Sequence, residues 1–266
     1  MRESPLSASE RNRYQRHLAL AEVGKPGQER LKAARVLVIG AGGLGSPAAM
    51  YLAAAGVGTL GIVDCDRVEL SNLQRQILHA TSDIGKDKVE SAKATINALN
   101  PDIEVKTYAT RFAEDNATEI VSGYNFIVDG SDNFDTKFLV NDTAIRLNIA
   151  FSHAGIVRLQ GQTMTVLPRK SACYRCLFQA PPAPEEILNC QQSGILGAVA
   201  GTLGTIQATE AIKYLAGFEE EGLITDRLLT YDAKLMRFHS IDISRNPQCA
   251  ACGAASSVNP GLSGTI

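Results

Sequence analysis

The run Val36-Leu-Val-Ile39, followed at once by Gly40-Ala-Gly-Gly-Leu-Gly45, constrains this chain more than any other stretch. Four consecutive apolar residues predict a strand buried on both faces, as in a parallel sheet covered by helices. The glycines at 40, 42 and 45 keep the G-x-G-x-x-G spacing of a strand-to-helix turn, and Gly43 adds a fourth. Geometry explains the residue type: a tight turn needs positive φ, and phosphate must approach bare backbone. A helix starting near Ser46-Pro47 offers free N–H groups and a positive dipole end to an anion. Pro47 suits a first helical turn, where its missing N–H has no intrahelical partner. A second strand is expected over Thr59-Leu-Gly-Ile-Val63 and ends at Asp64, about 20 residues beyond Gly45, where a carboxylate accepts a ribose hydroxyl.

That fingerprint alone also fits an oxidoreductase using NAD. The polar residues after it favour a triphosphate. Asp64-Cys-Asp66, then Ser71-Asn72-Leu-Gln-Arg75-Gln76, then Lys88 crowd just beyond the ribose acceptor. Holding several negative charges and neutralising leaving pyrophosphate needs such groups, whereas a nicotinamide has no evident use for them.

Strand and helix patterns alternate along the next hundred residues. Apolar positions at Val89, Ala92, Ile96 and Leu99 predict a helix from Lys86 to Asn100, ended by Pro101. A strand is expected over Ile103–Tyr108, a helix near Asp115–Ser122, and a buried strand over Tyr124–Asp129. The class is therefore α/β, a Rossmann-like, mostly parallel sheet with ligands at the carboxyl ends of its strands. Asp132, in Gly130-Ser-Asp-Asn133, falls at that edge. Asp129 and Asp132 fit ordinary turn or capping positions as well as metal binding. Short strands at 156–159 and 162–167, and a hairpin of 228–232 with 236–243, predict an antiparallel C-terminal portion. Ile195 to Gly217 is rich in small apolar residues, but Gln207, Glu210 and Lys213 interrupt it. A buried helix is expected rather than a membrane span, with Gly197, Gly201 and Gly204 allowing close packing on the sheet or on a second subunit. The expected organisation is one domain, 1–254, with a nucleotide-binding half over about 30–150 and a carrier-binding and zinc half over about 151–254. Residues 255–266 are small and polar and read as a disordered tail.

Among six cysteines, four form two C-x-x-C pairs, Cys173/Cys176 and Cys249/Cys252. Each pair supplies two thiolates from one knuckle, the usual material of a tetrahedral structural zinc site with no open catalytic position. A redox pair or disulfides are the alternative; a cytosolic compartment disfavours stable disulfides. Cys65 reads as a small packing residue. Cys190 lies in a proline-rich polar loop, where a thiol is either a nucleophile carrying a transient acyl or sulfur link or incidental. Net charge of −2 provides no basic field for nucleic acid or an anionic membrane. An apolar leader is lacking at the N-terminus, so a cytoplasmic location is expected. Ser7 to Glu10 matches a capping box, and the basic stretch Arg11 to Arg16 is either a solvated helical face or brings Arg13 or Arg16 to a phosphate, in its own or a neighbouring subunit.

In combination, Arg13-Tyr-Gln-Arg16, the glycine loop, Asp64-x-Asp66, Ser71-Asn-Leu-Gln-Arg75-Gln76, Lys88, Asp132-Asn133 and the two cysteine pairs resemble the ThiF and MoeB group of ubiquitin-activating-type adenylyltransferases, across Arg13 to Cys252. The resemblance implies adenylation of the C-terminal glycine carboxylate of a small ubiquitin-like sulfur carrier, ThiS-like or MoaD-like and ending in Gly-Gly, for thiamin or molybdopterin synthesis. It places ATP against Gly40, Gly42, Gly43, Gly45, Asp64, Asp66, Asn72, Arg75, Gln76, Lys88 and Asp132. Asn72, Arg75 and Lys88 would contact phosphates, Asp132 would hold Mg2+, and Arg16 would reach into the other subunit of a homodimer. Cys190 matches a loop cysteine that in some members links to the carrier. The zinc pair closes the resemblance and no rhodanese-like extension follows it, so sulfur is expected from a separate cysteine desulfurase or rhodanese. A zinc-stabilised module that docks such a tail without activating it is the non-enzymatic alternative.

Overall fold

A computed structural model describes residues 5–182 and 194–254. Their centre is strand β1, Arg35–Ile39, whose last four residues are fully buried. Its side chains alternate between two cores: Val36 and Val38 pack on one face with Leu52 and Ile62, while Leu37 and Ile39 pack on the other with Ile127 and Phe151. An unbroken apolar run is what a strand between two helical layers requires.

The described helices are α1 Ala8–Arg13, α2 Gln15–Leu18, α3 Gly24–Ala33, α4 Gly45–Ala55, α5 Lys88–Leu99, α6 Glu114–Val121, α7 Phe134–Leu147, α8 Tyr174–Leu177 and α9 Gly197–Ala216. The remaining strands are β2 Thr59–Val63, β3 Glu104–Tyr108, β4 Phe126–Asp129, β5 Ala150–Val157, β6 Gln160–Val166, β7 Arg227–Asp232 and β8 Arg237–Asp242. They form one sheet in the order β3-β2-β1-β4-β5-β6-β7-β8. Pairing is parallel from β3 through β5 and antiparallel from β5 through β8. Connections leave β1 toward β2 and β3 on one side, whereas β4 and β5 lie on the other. The sheet order thus reverses between β1 and β4, which opens a crevice at their carboxyl ends.

Two sequence expectations change here. The first antiparallel strand is Ala150–Val157 and not 156–159, because Arg158 turns with φ of 56° into the β5–β6 hairpin. Ser152 and His153, polar residues fully inside this strand, hid it from a reading based on hydrophobic pattern. Cys65 is exposed rather than packed. Its Sγ lies 3.7 Å from Asp66 Oδ1, and desolvation followed by Asp66 and Asp64 pushes the thiol pKa up.

The long helix α9 is buried as expected, and no described helix is long and apolar enough to cross a membrane. Its glycines do different jobs. A Cβ on Gly204 would stand 2.2 Å from the Leu44 carbonyl, and one on Gly197 would stand 2.3 Å from the Gln74 carbonyl, while Gly201 faces open space. Gln207 does not disrupt the packing, since its Nε2 donates to the Asp129 and Ser152 carbonyls at 2.9 Å each. Ser7 caps α1 in the expected reciprocal box with Glu10.

Candidate active site

The glycine loop closes on itself and on the end of β4. Gly40 has φ of 90°, and a Cβ there would lie 2.9 Å from the Gly130 carbonyl. A Cβ on Gly45 would collide with the Gly40 carbonyl at 1.8 Å. These contacts explain why glycine is required, and they bring the β4 turn against the loop. Helix α4 begins at Gly45 with no side chain capping it. Ser46 and Ala48 N–H donate to the Gly42 and Leu44 carbonyls and Pro47 has none, so the N–H groups offered to an anion are those of the loop itself, up to Gly45.

Asp64 holds the loop from the β2 side. Ala41 N–H donates to its Oδ2 and Asp66 N–H to its Oδ1, both at 2.8 Å. Each oxygen keeps a lone pair for a hydroxyl donor. Lys88, 5% exposed at the start of α5, donates to Asp66 Oδ2 at 2.9 Å. The Lys88 hydrogen bond lowers the Asp66 carboxyl pKa against the opposing effect of burial. An ammonium is thereby anchored beside the loop with one charge partner.

The segment 71–76 folds over the loop. Arg75 lays its methylenes against Gly43, where a Cβ would be 3.5 Å from its Cγ, and its guanidinium donates to the Ser71 carbonyl at 3.1 Å. Buried Gln76 places Nε2 over Gly42, and its buried Oε1 has no hydrogen-bond partner. Asn72 is half-buried and supplies the carbonyl that accepts from Arg75 and Gln76 N–H. Asp132 is exposed beyond Gly130 and Ser131, and among the described residues its carboxylate accepts one hydrogen bond, from Asn133 Nδ2 at 3.5 Å. Gly40, Gly42, Gly43, Gly45, Asp64, Asp66, Asn72, Arg75, Gln76, Lys88 and Asp132 therefore share one sheet edge. The donor set fits a nucleoside triphosphate: a cradle that any Cβ would fill, backbone N–H groups, a lysine and an arginine. Asp132 fits Mg2+, because it offers carboxylate oxygens that the protein leaves open, the hard ligands that ion takes.

Arg16 is not brought to this edge. It is exposed on α2, beside Tyr14, which packs on Gly56, and His17, which reaches Ala55 through Gln28. That is the far end of α4, an 11-residue helix and so about 16 Å from the glycine loop. Arg13 is at the same far edge, donating to the Leu99 carbonyl at 3.1 Å and lying 3.7 Å from Asp102. Within its own subunit the Arg13 guanidinium is engaged where β3 begins, not at the glycine loop. Cys190 lies outside the described residues.

Three buried residues escaped the sequence reading. His79, beneath the loop, donates Nε2–H to the Ala41 carbonyl at 3.0 Å, with Nδ1 2.9 Å from Ser91 Oγ. Lys137 and His153 converge on Asp129, at 3.4 and 3.0 Å. A signal for Lys137 existed: it precedes Val140, Asn141 and Ala144 on the buried stripe of α7, where a lysine needs a partner.

The four paired cysteines assemble away from this edge. Cys173 and Cys176 bracket the start of α8, and Cys249 and Cys252 follow β8. Sγ separations are 3.6 Å for Cys173–Cys249, 3.9 Å for Cys173–Cys176 and 3.5 Å for Cys176–Cys252. Disulfide sulfurs would be about 2.05 Å apart. Four ligands about 2.3 Å from a tetrahedral zinc are about 3.8 Å from one another, so the cluster fits that ion. Asn246 N–H donates to Cys176 Sγ at 3.4 Å, as expected of a thiolate ligand.

The sequence pattern described as the ThiF family matches residues 14–251. The chain belongs to the ThiF family. It is 46% identical over 248 residues to the SAMP-activating enzyme E1 of Haloferax volcanii, covering 93% of this chain and 91% of that protein. Identity to the sulfur carrier protein adenylyltransferase of Thermus thermophilus is 43% over 249 residues, covering 92% and 91%. The adenylyltransferase and sulfurtransferase MOCS3 of Culex quinquefasciatus is 44% identical over 263 residues, and this chain, 98% covered, spans 58% of its length. Among solved structures, MccB of E. coli crystallised with ATP superposes with a TM-score of 0.78 at 25% identity, covering 94% of this chain and 76% of MccB.

Proposed function

We propose that this protein adenylates the C-terminal carboxylate of a small ubiquitin-like sulfur-carrier protein with ATP. The observation that carries the reading is the gathering of the glycine loop, Asp64, Lys88, Arg75 and Asp132 on one edge of the sheet. A relative named as a sulfur carrier protein adenylyltransferase, at 43% identity, and one named as a SAMP-activating enzyme E1, at 46%, support it.

The ribose sits against Asp64 and the phosphates against the glycine loop and the start of α4. The carrier's terminal carboxylate attacks the α-phosphorus; the bond between the α-phosphorus and its bridging oxygen breaks, and pyrophosphate leaves. An anion attacking a polyanion needs positioning and charge neutralisation, not a general base. Lys88 and Arg75 provide fixed positive charge, and Gln76, whose Nε2 lies over Gly42, adds an N–H donor there. Bound Mg2+ would neutralise charge on the phosphates, with Asp132 as its protein ligand. Asn72 and Asp66 complete the phosphate-side wall. An oxidoreductase would leave Lys88, Arg75 and Asp132 without a task.

Zinc in the cysteine cluster serves structure: four thiolates leave no place for substrate. Arg16, about 16 Å from its own glycine loop by the length of α4, acts in a homodimer by entering the partner's site. Sulfur comes from a separate donor such as a cysteine desulfurase or rhodanese, and Cys190 is the candidate to take part in that transfer. The domain runs from 1 to 254 as one unit.

ATP–pyrophosphate exchange, run separately with ThiS-like and MoaD-like carriers, tests the reading. Exchange with one carrier assigns thiamin or molybdopterin synthesis; exchange with neither, despite ATP binding, overturns carrier adenylation. Asp132→Ala is expected to abolish magnesium-dependent exchange with zinc retained. Mixing Arg16→Ala with Lys88→Ala subunits is expected to restore activity, since each hybrid assembles one complete site.

A further inference from the structure

Lys137 is 7% exposed, and its ammonium has three acceptors for its three N–H groups. It donates to the Ser131 carbonyl at 2.7 Å, the Ala154 carbonyl at 2.7 Å and Asp129 Oδ2 at 3.4 Å. The buried carboxylate of Asp129, 0% exposed, is in turn saturated. Its Oδ1 accepts from Ser131 N–H at 3.1 Å and Ser131 Oγ–H at 2.5 Å, and its Oδ2 accepts from His153 Nδ1–H at 3.0 Å. Both the carbonyl and the hydroxyl of Ser131, one residue before Asp132, are therefore held by a buried ion pair.

Among the described residues the Asp132 carboxylate is held by one weak hydrogen bond, from Asn133 Nδ2–H at 3.5 Å. Where its carboxylate points is decided by the backbone of 130–132. That backbone also abuts the glycine loop, because a Cβ on Gly130 would lie 3.0 Å from Gly45 N and 3.1 Å from the Gly40 carbonyl. The Ala154 carbonyl fastens the same ammonium to β5, so the turn is fixed between two strands of the sheet. A buried charged pair is a costly way to pack a helix against a sheet, and a requirement for orientation accounts for its presence.

We infer that Lys137, through Asp129, is a positioning residue that sets the Asp132 carboxylate relative to the nucleotide loop and so tunes the use of the divalent cation. The inference rests on the reading of Asp132 as the magnesium carboxylate. Lys137 touches neither nucleotide nor cation.

Lys137→Met and Lys137→Arg separate this role from a purely structural one. In Lys137→Met, amide hydrogen exchange over 130–132, read in the nucleotide-free protein, is expected to speed up at least tenfold. The Mg2+ concentration for half-maximal pyrophosphate exchange should rise at least tenfold, with the rate at saturating Mg2+ within threefold of wild type. Lys137→Arg, which keeps a cation with several donors, should return the Mg2+ dependence to within threefold. Unchanged amide exchange in a folded Lys137→Met protein overturns the inference, and so does faster amide exchange with an unchanged Mg2+ dependence. If Lys137→Met does not fold, Lys137→Met/Asp129→Asn removes both charges, and the same two readings apply; failure of that neutral variant to fold makes the cluster a folding element and overturns the positioning role. Absence of pyrophosphate exchange in the wild type with every carrier strikes the adenylation reading instead, while faster amide exchange in Lys137→Met would still show that Lys137 sets the turn.

Discussion

The glycine loop and the cysteine cluster reach their order by different routes. The loop is one contiguous stretch, and its geometry follows from absent side chains: Gly40, Gly45 and Gly130 let three backbone segments touch. The cluster joins segments from the middle and the end of the chain around four thiol side chains, with Sγ atoms as close as 3.5 Å. Without a counter-charge, four thiolates at that spacing repel one another, so their order depends on an ion. A site formed by close backbone approach is therefore preorganised by the fold, whereas a site formed by ligands is completed only when the ligand binds.

The largest effect that can break this contrast is loss of the metal. Cys176→Ser is expected to abolish zinc binding and loosen 245–254 while β1 to β4 keep their order. Structural zinc contributes on the order of 10 kcal/mol in small zinc domains, and the loss here should appear as proteolysis confined to the C-terminal segment. Whole-domain unfolding would show that the two regions are one cooperative unit. Gly45→Ala tests the other side, since its Cβ would meet the Gly40 carbonyl at 1.8 Å. Overpacking costs about 1–3 kcal/mol, and calorimetric titration with ATP should show the affinity lost with zinc content unchanged.

A smaller effect separates the regions by pH. Burial lowers the pKa of both His79 and His153 from 6.5. The unfolded chain then binds protons before the folded one, so stability is full above pH 6.5 and falls as the pH drops below it. Asp129 extends the loss. Burial alone would raise its pKa, but Lys137 and His153 bring it to about 2, so its contribution, present above about pH 4, declines as the pH falls toward 2. Urea unfolding of the zinc-loaded protein from pH 8 to 5 checks the histidine part; a flat profile would mean that neither ring stays neutral. The smallest effect is on α9. Gly201→Ala meets nothing within 4 Å and should stabilise the helix by up to about 1 kcal/mol in a thermal melt. A loss instead would place this face against a second subunit.

Much of the parallel half could be read from residues alone because its signals are local. Apolar runs marked β1, β2 and β4, and glycine spacing marked the loop. The second half was harder. Ser152 and His153 concealed most of β5: they are buried polar residues, and the His153 partner, Asp129, is brought by the distant strand β4. Lys137 carried a stripe-position signal, but nothing local indicated that Ser131, Ala154 and Asp129 would meet it. Arg13 and Arg16 lie close in sequence and are both exposed, and only folding brought Arg13 to Asp102.

By itself the sequence determined the α/β class, the position of the nucleotide loop and the pairing of four cysteines, because each depends on residue spacing within a turn or a strand. Tertiary structure alone decided which charged groups are buried together and which edge each arginine occupies. Those outcomes depend on the distance between segments remote in sequence, where one buried ammonium is stable only if three acceptors from separate elements arrive around it.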